Sequence, residues 1–83
     1  MDGWRVDPAK LRALREEAEL RVVDLAGQLG CHPRHYWKFE RGTAQPSAVL
    51  GHALLRILGA RLQRNISFSD IARPVPSRRK AVA

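Results

Sequence analysis

Residues 25–42 read Leu25-Ala26-Gly27-Gln28-Leu29-Gly30-Cys31-His32-Pro33-Arg34-His35-Tyr36-Trp37-Lys38-Phe39-Glu40-Arg41-Gly42, and this stretch decides how the chain folds. One short helix stops at Gly30, where a left-handed residue is needed. His32 and Pro33 then supply a cap and an N1 residue for a second short helix, which Gly42 stops in turn. Two short helices joined by so tight a turn cross steeply and leave the second on the surface. That second helix, 33–41, is the candidate working surface.

Outward from this stretch the punctuation continues. Upstream, Asp7 caps a helix expected over 8–19, with Pro8 at N1 and Val6 placed to staple onto Leu11. Leu11, Leu14 and Ala18 recur at helical spacing on one side, and Lys10, Arg12, Glu16, Glu17 and Glu19 face away. Leu20 and Arg21 join it to a second helix, 22–29, whose apolar face is Val22, Leu25, Ala26 and Leu29. Downstream, Thr43 to Gln45 is a loop closed by Pro46, and Ser47 caps a fourth helix with Leu50, Leu54, Ile57 and Leu58 inside. Gly59 is a candidate stop, but the row Leu54, Leu58, Leu62 carries on, which favours an end near Gln63 with Asn65 in the left-handed position. Ser67-Phe68-Ser69-Asp70 has the form of a capping box for a last helical turn through Ala72. No strand pattern or internal repeat is visible. Met1 to Val6 reads as a lead-in, and the two prolines and basic run from Pro74 to Lys80 read as a disordered tail. The expected organisation is one all-α domain over 1–72 and a flexible basic tail over 73–83.

Eighty-three residues leave room for one small core and little for a catalytic cleft. No apolar run is long enough to span a membrane and no leader is apparent, so a cytoplasmic protein is expected. A single Cys31 cannot make an internal bridge, which agrees with that setting. Fifteen Lys and Arg against eight Asp and Glu give a net charge of +7, which attracts a polyanion. Residues 51–83 hold seven of the basic and one of the acidic side chains, so the C-terminal third is the expected electrostatic anchor. No Ser-His-Asp set, carboxylate pair or phosphate loop is present, and an enzyme is not expected. Cys31, His32 and His35 offer at most two of the four ligands that a structural zinc needs, because His32 reads as a cap and Cys31 points inward. No metal or other cofactor is expected.

If helix 33–41 is amphipathic, Tyr36 and Phe39 point inward with Cys31, leaving Pro33, Arg34, Trp37, Lys38 and Arg41 outside. Arg34 and Lys38, one turn apart, suit guanine O6 and N7 or phosphate, and a bidentate base contact gives roughly 1–3 kcal/mol of discrimination. Trp37 suits a thymine methyl or a sugar, or else is a partly buried rim residue. The contact surface is taken to include His32 and Pro33 at the helix start.

Arg15, Leu25-Ala26, Gly30, Glu40-Arg41-Gly42 and Pro46 together resemble the phage-repressor and Cro type of helix-turn-helix domain, the XRE-like family, over residues 11–71. The resemblance implies a compact five-helix, lambda-repressor-like fold in which Arg15 pairs with Glu40. It also implies that Arg41, Thr43 and Gln45 lie along a DNA phosphate backbone. The family's small hydroxyl residue and Gln at the start of the second helix are replaced by Arg21 and Val22, so Arg21 would clamp phosphate by charge alone. By this resemblance the chain is a sequence-specific repressor of transcription that binds a palindromic operator in double-stranded DNA as a homodimer. Ile66, Phe68 and Ile71 are the candidate dimer patch, since a small domain can hardly bury all three. A second reading, from a different class, is a protein-interaction module such as an antitoxin that binds a toxin and autoregulates its promoter. A toxin-sized reading frame beside the gene would favour it.

Overall fold

Helix starts written into short polar side chains and prolines reappear where they are expected. The computed structural model describes residues 3–75. They form β1 (Gly3–Val6), α1 (Pro8–Glu17), α2 (Val22–Leu29), α3 (Pro33–Arg41), α4 (Ala48–Leu62), a single 3-10 turn (Phe68–Asp70) and β2 (Ala72–Val75). An Asp7 carboxylate oxygen accepts from the Ala9 N–H at 3.0 Å, and Ser47 Oγ accepts from the Leu50 N–H at 3.2 Å. Each satisfies a helix-terminal donor that has no partner within its helix.

The core forms where the apolar faces of the four helices meet. Leu11, Leu25, Ala26, Tyr36, Phe39, Leu54 and Leu58 are fully buried there, and Val22, Leu29, Cys31, Leu50 and Ile57 pack around them. Helices one to four therefore turn inward the faces that their periodicity predicts. No helix among the described residues is long and apolar enough to cross a membrane.

Four expectations need correction. First, α1 ends at Glu17, not at residue 19, because Glu19 adopts a left-handed conformation (φ 59°) and the Leu20 N–H reaches back to the Arg15 carbonyl at 3.1 Å. Ala18 and Leu20 are both buried, and two residues apart on one helix they would point to different sides. The turn resolves that conflict. Second, the left-handed residue after α4 is Gln63 (φ 56°) rather than Asn65.

Third, there is no fifth α-helix. Ser67 to Asp70 makes the expected local bond, the Ser67 N–H donating to Asp70 Oδ2 at 2.8 Å, but helix formation stops after a 3-10 turn. Fourth, the fold is not purely helical, because β1 and β2 pair antiparallel in the register Gly3↔Val75, Trp4↔Pro74, Arg5↔Arg73, Val6↔Ala72. Both strands are edges, where a proline is tolerated. Residues 73–75, assigned to the tail from sequence, thus belong to the folded unit, while 76–83, with Arg78, Arg79 and Lys80, lie outside the described residues.

The ribbon is fastened to the helices at several points. The Asp7 N–H donates to the Ile71 carbonyl at 2.8 Å, and Lys10 Nζ donates to the Ser69 and Ala72 carbonyls at 3.3 and 3.1 Å. Ile71 itself is fully buried, a gain of about 1.5–3 kcal/mol relative to exposure. Its place in the core removes it from the expected dimer patch, leaving a half-buried Ile66 and a Phe68 that is 40% exposed.

After Gln63 the chain doubles back over the end of α4. A side-chain carbon on Gly59 would lie 2.9 Å from the Arg64 carbonyl oxygen, so the glycine serves a close backbone approach inside a helix that passes through it. Gly59→Ala should therefore destabilise the protein by about 1–3 kcal/mol through overpacking, despite a helix-propensity gain of up to about 1 kcal/mol. Urea denaturation measures the difference, and a variant as stable as the parent or more so would contradict this close approach.

Candidate nucleic-acid interface

Helix α3 is short, nine residues, and would not be stable alone; its position is imposed from both ends and from behind. At its start His32 Nδ1 accepts from the Arg34 N–H at 3.0 Å, so the imidazole is the cap and Pro33 occupies N1. At its end Gly42 is left-handed, and the Thr43 N–H and hydroxyl both donate to the Lys38 carbonyl, at 3.0 and 3.4 Å. Tyr36 and Phe39 fill the core side with their rings edge to face at 5.9 Å, and His35 adds an edge contact to Phe39 at 5.1 Å.

Behind the helix lies a three-residue polar network. Arg15 Nε donates to Glu40 Oε2 at 2.5 Å and Nη2 to Oε1 at 3.2 Å, a two-pronged pair whose side chains are 11% and 1% exposed. The third guanidinium nitrogen donates to the Leu20 carbonyl at 2.9 Å, which ties the α1–α2 turn into the same cluster. Tyr36 donates its hydroxyl to Glu40 Oε2 from one turn back on α3. Burial, and then the bond to Glu40, pushes the Tyr36 hydroxyl far above the ordinary tyrosine range, so it stays a donor. The hydrogen bond to Glu40 raises Arg15 above its ordinary value against the opposing effect of desolvation. The pairing that the family resemblance implied is present, with a tyrosine added to it.

With the inner face engaged, Arg34, Trp37, Lys38 and Arg41 stand exposed at i, i+3, i+4 and i+7, which is one stripe of a helix. Trp37 is 40% exposed. The side chains of Arg34, Lys38 and Arg41 have no partner among the described residues. His32, Arg34, His35 and Lys38 line one open groove at the N-terminal half of the helix.

The remaining expected contacts are placed differently. Arg21 starts α2 but is turned onto Asp24, with Nε to Oδ2 at 3.0 Å and Nη2 to Oδ1 at 3.3 Å. This bond is the main reason that Asp24 titrates below and Arg21 above their ordinary ranges. Gln45 is exposed, yet its Oε1 accepts from the Val6 N–H at 2.8 Å and so anchors β1 to the loop. Cys31 is half-buried against the core, and burial raises its thiol, which makes it a poor thiolate. No group of three or more His, Cys, Asp or Glu among the described residues is placed to hold a metal ion.

Two cations of the expected C-terminal anchor are engaged within the fold. Arg61 Nε donates to the Ala18 carbonyl at 3.0 Å, and Arg64 holds Glu17 through both carboxylate oxygens at 2.6 and 3.2 Å. These two exposed side chains thus tether the end of α4 to α1. Composition and periodicity give no signal at Arg5, in the supposed lead-in, which the register sets directly opposite Arg73. Only a pairing between residues 68 positions apart reveals that neighbour.

A family model described as a helix-turn-helix domain matches residues 9–65, more than half of the chain. No curated protein matches the chain.

The network makes a stability prediction. Glu40→Ala leaves a nearly buried guanidinium and a buried tyrosine hydroxyl without their acceptor and should cost about 2–4 kcal/mol. Tyr36→Phe removes one donor while Arg15 still holds Glu40, and should cost about 1 kcal/mol. Thermal melting followed by circular dichroism ranks the two, and equal losses would show that Arg15 contributes little.

Proposed function

The chain belongs to the helix-turn-helix domain family, and on that premise we propose that it is a sequence-specific, DNA-binding regulator of transcription whose helix α3 enters the major groove. The observation that carries this reading is the exposed cationic stripe Arg34–Lys38–Arg41, unpartnered among the described residues, on a helix held rigidly from behind. A major groove admits one α-helix, and it presents guanine O6 and N7 to a guanidinium or ammonium on that helix. Arg34 and Lys38 are the base-reading residues in this proposal, with Trp37 between them against a thymine methyl or a sugar.

Other residues position the helix. Arg41 and Thr43 follow the phosphate backbone after α3, where contacts orient without reading sequence. His32 and Pro33 approach the backbone at the other end of the helix. Arg21 reaches a phosphate by exchanging Asp24 for it, a change open to an exposed pair whose net worth is small. Gln45 acts through the loop that it braces. A domain with one short reading helix covers few base pairs, so the protein acts as a dimer on a palindromic operator with half-sites about one helical turn apart. Occupying such a site excludes polymerase, which makes repression the simplest outcome.

Selection of binding sites from random duplex DNA tests this reading. The parent chain should enrich a palindromic sequence, and Arg34→Ala and Lys38→Ala should each relax preference at particular base pairs, by about 1–3 kcal/mol for each base pair read. Enrichment of no sequence, or unchanged preference in both variants, would overturn it.

A further inference from the structure

The β1–β2 ribbon carries a pair of arginines that the fold itself does not explain. In the register Val6↔Ala72 and Arg5↔Arg73, side chains of opposed residues share a face and successive residues alternate between faces. Val6 and Ala72 are buried, so that pair faces the core, and Arg5 and Arg73 stand together on the outer face, both exposed. Like charges directly opposite one another weaken a strand pair. Neither guanidinium has a partner among the described residues, whereas Arg12, Arg15, Arg21 and Arg64 each hold a carboxylate. Two adjacent cations without a counterion among the described residues point to an anion supplied from outside.

Their position identifies its source. Arg5 and Arg73 line one open groove of about 460 Å³ with Pro8, Gly42 and Gln45, at the C-terminal end of α3 and the loop that follows it. No acidic residue among the described ones lines that groove. Its wall is tied to the loop, since Gln45 Oε1 accepts from the Val6 N–H at 2.8 Å, so the ribbon and the end of α3 form one surface. We propose that Arg5 and Arg73 together clamp a DNA backbone phosphate beside the end of α3. Two guanidiniums from adjacent strands suit phosphate oxygens, which each can hold through parallel N–H donors. The groove is open to solvent, so a lone phosphate ion would be held only weakly there; a phosphate already brought close by α3 is the fitting ligand. The clamp rests on the assignment of α3 to the major groove.

The test is duplex affinity of the full chain as a function of salt, with a random-sequence duplex as the probe. Arg5→Gln and Arg73→Gln should weaken binding, and the double variant should make the slope of log affinity against log salt shallower by about 0.9, the value for one phosphate that is no longer neutralised. Sequence preference should not change. Arg5→Lys/Arg73→Lys keeps the charge and should keep the slope, and Arg56→Gln, on α4 and lining a different groove, should leave it unaltered. Melting temperatures of the glutamine variants should be no lower than the parent's. If the parent binds duplex DNA but the double variant keeps the full slope, the clamp fails and the reading of α3 stands. An equal loss from Arg56→Gln would also overturn the clamp, since general charge would then account for the effect. If the parent binds no duplex, both fail.

Discussion

The bond between Arg15 and Glu40 is the constraint on which the surface of this molecule depends. A guanidinium and a carboxylate meeting through two parallel bonds restrict orientation as well as distance, and this pair joins α1 to the last turn of α3. The third nitrogen on Leu20 and the Tyr36 hydroxyl on Glu40 extend the constraint to the α1–α2 turn and one turn back along α3. Buried ion pairs do not always add net stability, because desolvation opposes them. What this one supplies is geometry: a nine-residue helix with little stability of its own is presented at one angle.

Charge in this protein divides into two populations. Lys10, Arg61 and Arg64 tether the C-terminal third to α1, through carbonyls of the chain or through Glu17, and Arg12, Arg15 and Arg21 hold carboxylates. Among the described residues Arg5, Arg34, Lys38, Arg41, Arg56 and Arg73 remain without partners, and all of them except Arg56, on α4, lie on α3 or on the ribbon beside its end. Net charge alone does not separate these populations, because it counts a cation bonded within the fold the same as one facing solvent without a partner. The field that an approaching duplex meets comes from the second population together with the charge of residues 76–83.

Much of the helical frame was legible from residues near one another in sequence. Asp7 with Pro8, His32 with Pro33, Gly30, Gly42 and Ser47 mark helix ends through bonds spanning two to five residues. The inner faces of the helices follow equally from periodicity. The outer stripe of α3 was legible for the same reason, since once Tyr36 and Phe39 face the core, Arg34, Trp37, Lys38 and Arg41 must face away. The partners of the stripe's neighbours were not legible: that Arg21 is occupied by Asp24 and Gln45 by the Val6 N–H depends on rotamers and on where β1 arrives.

The sequence by itself determined where the four helices start, which faces they bury and which side chains α3 turns outward, because each of these depends on contacts within one or two helical turns. Tertiary structure decided the rest. Two four-residue segments, Gly3–Val6 and Ala72–Val75, have no strand signature alone and become strands only when folding brings the chain ends together. Ile71 moves from a surface patch to the core for the same reason, and Ala18 with Leu20 ends α1 early because both must reach one core. The opposition of Arg5 and Arg73 is the clearest instance: sequence marks Arg73 only as part of a basic tail and gives no signal at Arg5, and their shared face exists only in the pairing.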